Sequence, residues 1–227
     1  MKYKKQMSDS YCVGAILAVA GGFLDAYTYL CRGGVFANAQ TGNIVLFGIR
    51  LAEKDLAGAL YYVVPIVSFF AGILVAEIVK NRFGANKGMH WRQITLGIEF
   101  LTLLVVAFLP AGTWDMLANV MVSFACSLQV ESFRKMNGNP YATTMCTGNL
   151  RSATEQLYHY KKSRNRKALA SSLQYYGIIV FFVFGAVLGS VFSERFQTRS
   201  VLFGCAGLLA AWLLMFIGRQ EDVLCEE

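Results

Sequence analysis

The chain has 227 residues, of which 56% are hydrophobic and 15% charged, with a formal net charge of +7 and a mean hydropathy of +0.45. Soluble domains draw roughly 25% of their residues from the charged set, so a soluble enzyme, a secreted disulfide scaffold and a disordered tail are all excluded. The basic residues stand between apolar runs rather than on one face, which argues against nucleic-acid binding. An integral membrane protein remains, with the lipid bilayer as its first partner.

Six apolar stretches approach the roughly 20 residues that a helix needs to cross hydrocarbon. They lie at 10–30, 57–79, 93–111, 114–133, 168–192 and 200–218. The first follows the basic start Lys2, Lys4 and Lys5, and Ala18-Val19-Ala20 looks like a cleavage site. The apolar run continues past that point, however, so it reads as a span and not a signal peptide. The turn Pro110-Ala111-Gly112-Thr113 joins the third and fourth stretches as a tight hairpin. Runs such as Ile98 to Leu109 do not alternate, so β-barrel strands are not expected.

Lysine and arginine in short loops set orientation. Lys80, Arg82, Lys87 and Arg92 follow the second stretch, and Arg134, Lys135, Arg151, Lys161, Lys162, Arg164, Arg166 and Lys167 follow the fourth. Arg32, Arg50, Lys54, Arg195 and Arg199 fall on the opposite side. Both termini are therefore expected in the cytoplasm.

The two halves match each other. Asp25 precedes Thr41-Gly42-Asn43 by sixteen residues, and Glu131 precedes Thr147-Gly148-Asn149 by the same sixteen, an offset of 106. Gly72 with Arg82-Phe83 then matches Gly185 with Arg195-Phe196 at an offset of 113. The extra residues fall in the basic loop around Lys161 to Lys167, where insertion costs little. Residues 1–112 and 113–227 thus read as two three-helix repeats. Three is odd, so the second copy runs through the membrane in the opposite sense, and the expected fold is an all-α membrane protein with a 3+3 inverted repeat.

Residues 31–40 can extend about 33 Å, enough to dip to the bilayer midplane. A helix from Asn43 to Glu53 would return to the surface. Thr41 and Asn43 are helix-capping types, and Gly42 permits close backbone approach. Each half thus holds either a re-entrant or an interfacial half-helix starting at Thr-Gly-Asn. In the second half, the turn Asn137-Gly138-Asn139-Pro140 leads to a more polar helix that carries Arg151, Glu155, Gln156 and His159.

Asp25 and Glu131 sit near span ends, and carboxyls at membrane depth usually face a cavity or a partner. Either could carry a proton, though Glu131 can also pair with Arg134 or Lys135. Glu77 is expected to pair with Lys80, whereas Glu99 has no local cation. Gln129, Asn119 and Ser123 give the fourth span a polar face. The candidate solute contacts are Asp25, Asn38, Gln40, Thr41, Gly42, Asn43, Glu99, Gln129, Glu131, Thr144, Thr147, Gly148 and Asn149. Gly185-Ala-Val-Leu-Gly189 reads as a helix-packing motif. His90 and His159 read as solvated loop residues, and Tyr61, Tyr62, Trp91, Trp114, Tyr175 and Tyr176 as an interfacial belt. The cysteines at 12, 31, 126, 146, 205 and 225 form no CxxC pair, so neither a disulfide nor a metal site is expected. No phosphate loop, nucleophile elbow or paired-histidine motif occurs, so no catalysis and no cofactor are expected.

At Gly21-Gly22-Phe23-Leu24-Asp25-Ala26, Phe36-Ala37-Asn38-Ala39-Gln40-Thr41-Gly42-Asn43 and Thr147-Gly148-Asn149, the chain resembles the YoaK-like family of bacterial multi-pass inner-membrane proteins. That resemblance implies a bacterial cytoplasmic-membrane protein and carries no activity with it. The expected function is a small transporter or facilitated pore for a small polar or anionic solute. The alternative is a scaffold or sensor that acts through the basic loop 134–167. A homodimer is compatible with either, since six short helices enclose a full pathway only with difficulty.

Overall fold

The computed structural model describes residues 7–84 and 90–224, with side chains to Phe216. Lys2, Lys4, Lys5, Lys87 and Cys225 lie outside the described residues. Helices form on all six apolar stretches: α1 (Tyr11–Cys31), α3 (Leu56–Phe83), α4 (Trp91–Val106), α5 (Asp115–Ser132), α7 (Arg166–Phe196) and α8 (Val201–Leu224). Two more, α2 (Gln40–Ala52) and α6 (Cys146–Ser163), occupy the long connections, and a small hairpin pairs β1 (Lys135–Met136) with β2 (Asn139–Pro140). This is an all-α membrane protein. Among the described residues, three segments are long and apolar enough to cross a bilayer: Tyr11–Cys31, Leu56–Phe83 and Arg166–Phe216. The last contains two helices, because the chain breaks at Gln197 (φ 49°) and folds back to stack Phe192 on Phe203 at 4.2 Å.

Helix α1 is the central pillar. Its apolar stretch is 72% buried within the protein, against 17% for α3 and 22% for Arg166–Phe216, whose outer faces are left to lipid. Leu17 and Leu24 of α1 pack with Leu96 and Leu103 of α4, Val122 and Cys126 of α5 and Leu208 of α8. On its other side α1 lies along α7. Tyr11 meets Phe181, Gly185 faces the Val19 carbonyl, and Gly189 faces Phe23 and Ala26. Residue numbers rise together along this seam, so the two helices run parallel. Gly185 and Gly189 therefore do serve packing, because a side chain on either would strike backbone of α1.

The same arrangement recurs between α3 and α5. Tyr61 approaches Asn119 at 3.3 Å, Ser68 Oγ donates to the Val120 carbonyl at 2.7 Å, and Gly72 sits against Phe124 and Ser127. These helices are also parallel. By contrast α1 and α5 are antiparallel, since Arg32 bonds Asp115 at 3.0 Å while Gln129 Nε2 donates to the Leu17 carbonyl at 3.2 Å. Each half of the chain thus contributes its first helix to the other half's second long helix.

Several side chains take structural posts that their sequence positions do not announce. Arg32, expected as an outer-loop charge, is 0% exposed. Its guanidinium donates to Tyr27 Oη, Asp115 Oδ1 and the carbonyls of Val106, Leu109 and Pro110. The end of α4 leaves carbonyls without intrahelical donors, and Arg32 supplies them. His90 accepts from the Arg92 amide and caps α4 in a capping box with Gln93. Tyr61 and Tyr175 fasten backbone, donating to the Arg32 and Pro140 carbonyls at 2.9 Å and 2.6 Å. Glu77 pairs with Lys80 at 2.7 Å, as its spacing predicts.

Candidate functional site

Two loops of matching construction meet over one glycine. In the first, Asn43 reaches back across seven residues. Its Oδ1 accepts from the Phe36 amide at 3.1 Å, and its Nδ2 donates to the Phe36 carbonyl at 2.7 Å and to Gln40 Oε1 at 2.9 Å. In the second, Asn149 does the same to Ala142, at 3.3 Å and 2.7 Å. A side-chain amide carries one donor face and one acceptor, so it can close on a peptide group. Helix α2 begins at Gln40 and α6 at Cys146, one residue ahead of each Thr-Gly-Asn. Neither start has a side-chain cap, so Thr41 and Asn43 are not the caps that the sequence suggests. The turn Asn137-Gly138 sits between β1 and β2 with φ of 49° and 85°, the positive values that asparagine and glycine accommodate best.

Both loops dock on α1. Asp25 Oδ1 accepts from the Asn38 amide at 2.7 Å. Asn38 Nδ2 donates to the Gly21 carbonyl at 3.2 Å. The methyl of Thr144, from the second loop, lies where a side chain on Gly21 would be. Gly22 faces the Phe182 carbonyl of α7 in the same way. The Gly21-Gly22 pair thus admits a loop on one side and a helix on the other.

Between these elements lies a cavity of about 620 Å³. Its polar wall comprises Asp25, Asn38, Gln40, Thr41, Thr144, Cys146, Thr147 and Gly148; its apolar wall includes Ala26, Tyr29, Leu30, Phe36, Phe69, Met145, Phe182 and Ala186. The starts of α2 and α6 therefore open onto one space, and helix starts carry partial positive charge from unpaired amides.

Seven of the thirteen sequence-predicted residues line this cavity: Asp25, Asn38, Gln40, Thr41, Thr144, Thr147 and Gly148. The others are placed elsewhere. Gly42 lies against the Phe36 ring, and Asn43 and Asn149 are consumed as buried clasps. Gln129 is spent on the Leu17 carbonyl. Glu131 is paired with Arg134 at 3.1 Å. Glu99 is 0% exposed on α4, and neither oxygen has a hydrogen-bond partner among the described residues. The aromatic lining was missed, although Tyr29 and Leu30 stand one turn beyond Asp25 and Ala26 and so share their helix face.

Comparison with known proteins places this architecture. The model of a family described as "Protein of unknown function (DUF1275)" matches residues 13–215. The chain belongs to this family. It is similar to the UPF0700 transmembrane protein YoaK of Bacillus subtilis (strain 168), with 24% identity over 182 residues, covering 77% of this chain and 80% of that protein. No solved structure matches the chain. The relative is a transmembrane protein by its name, in agreement with the apolar helices found here.

Proposed function

We propose that this protein is a small transporter or facilitated pore for a small polar or anionic solute, embedded in the bacterial cytoplasmic membrane as six spans with both termini inside. The observation that carries this is the single cavity walled by both loops and fed by both short-helix starts. A 3+3 inverted repeat accounts for the arrangement. Gln40 and Cys146, like Asn43 and Asn149, stand 106 residues apart and take the same posts. The parallel seam of α1 on α7 has its counterpart in α3 on α5, and α1 opposes α5, as duplication of an odd number of spans requires. The exposed cations Lys161, Lys162, Arg164, Arg166 and Lys167 at the α6–α7 turn fit the cytoplasmic side.

Asp25 alone among the three predicted acids touches the cavity, so proton coupling, where it operates, is assigned to it and not to Glu131 or Glu99. The solute passes unchanged, so no catalytic role is assigned.

The test is thermal unfolding of the detergent-solubilised protein across a library of small metabolites. A ligand at a hundred times its Kd stabilises a native state by about 2.7 kcal/mol. A hit should cross liposome membranes only with the protein present, and Thr41→Trp, which fills the cavity from an exposed position, should abolish both effects. A folded protein that answers to no solute would overturn the transporter reading and favour the scaffold or sensor acting through the basic loop.

A further inference from the structure

The two loops are alike in backbone and unlike in charge. In the first, the carboxylate of Asp25 sits on the turn Ala37-Asn38-Ala39 and accepts from the Asn38 amide at 2.7 Å. The corresponding turn of the second loop is Thr143-Thr144-Met145, each residue 106 positions on. Glu131, which stands in the place of Asp25, does not reach it, being held by Arg134. Thr144 is 6% exposed and lines the cavity, and its Oγ1 has no hydrogen-bond partner among the described residues. The first turn therefore has its negative charge built in, while the second offers a hydroxyl beside the start of α6 and no acid from the protein.

We infer that the second turn takes the carboxylate of an amphipathic monocarboxylic acid, seated on Thr144 and the start of α6 where Asp25 sits on the first turn. The remainder of the cavity fixes what the carboxylate is attached to. Tyr29, Phe36, Phe69 and Phe182 form an apolar wall, which suits a hydrocarbon or aryl body and disfavours a second charge. Asp25 is the one charged side chain among the described lining residues, and its carboxylate already takes the Asn38 amide of the first loop. An acid bound across the cavity therefore adds charge to the turn that lacks it. This inference rests on the cavity being a solute site and narrows that site to one chemical class.

The experiment uses the full chain in nanodiscs and calorimetric titration with hexanoate, hexanol, hexylamine and dodecanoate. Hexanoate is expected to bind saturably, with hexanol and hexylamine at least about tenfold weaker, the factor expected for losing a charge-assisted hydrogen bond. Thr144→Val keeps the shape and removes the hydroxyl, so hexanoate should weaken about tenfold; Thr144→Ser should restore it. Binding of dodecanoate but not hexanoate would retain the carboxylate subsite and identify its source as the lipid phase. Equal binding of hexanol or hexylamine, unchanged affinity in folded Thr144→Val, or no binding of either acid would each overturn the inference. Flux without carboxylate preference sinks this subsite and leaves the transporter standing; carboxylate binding without flux does the reverse.

Discussion

Replacing Arg32 with alanine should be among the most damaging single changes in the chain. The guanidinium is fully buried and holds Tyr27, Asp115 and three carbonyls at the end of α4. Removing one partner of a buried, hydrogen-bonded ion pair costs about 3–5 kcal/mol, because the groups left behind stay buried and unmet. At about 2–4 °C per kcal/mol for a chain of this length, the unfolding midpoint should drop by about 10 °C. Arg32→Lys should fall between, since an ammonium offers three donors without the planar fork. Asp115→Asn should cost less than Arg32→Ala, since the carbonyl bonds survive it. Scanning unfolding of the three variants in one detergent gives the order directly. An Arg32→Ala protein that unfolds within about 2 °C of the parent would refute the idea that Arg32 satisfies the α4 end.

The clasps make a paired prediction: Asn43→Ala removes three side-chain hydrogen bonds and Asn149→Ala two, so losses of about 3 and 2 kcal/mol are expected in unfolding experiments. A larger loss at Asn149 would contradict the bond count. Gly185→Leu should yield no folded protein by size-exclusion profile, because the new side chain meets the Val19 backbone. Gly148→Ala, with nothing within 4 Å of the added carbon, should fold normally and gain up to about 1 kcal/mol from helix propensity. Glu99→Leu should raise stability by about 1–3 kcal/mol by deleting a buried carboxyl that has no partner among the described residues. A destabilised Glu99→Leu protein would show that its carboxyl does make a bond worth keeping.

Much of this was legible because helix formation in a membrane chain follows local hydropathy. All six apolar stretches became helices with edges shifted by a few residues. The offset of 106 likewise carried through to the helix starts at Gln40 and Cys146. What periodicity does not carry is the identity of the packing partner. Nothing in the spacing of Arg32 distinguishes a loop cation from a buried one, since all its partners but Tyr27 lie on another hairpin. Asn43 and Asn149 read equally well as caps, because the residue types that cap helices are those that clasp loops. Asp25 and Glu131 match in sequence yet part ways in space, as a nearby Arg134 draws one of them off.

The cross-packing of the two halves also bears on how the protein is made. Helix α1 is synthesised before α7, yet the surface along Val19, Phe23 and Ala26 meets its partner only when Gly185 and Gly189 of α7 arrive, more than a hundred residues later. Until then the pillar of the molecule stands in lipid with its principal seam open. Insertion and tertiary assembly are therefore separate stages here, and a ribosome stalled within α5 would leave a chain with α1 inserted and no native core around it.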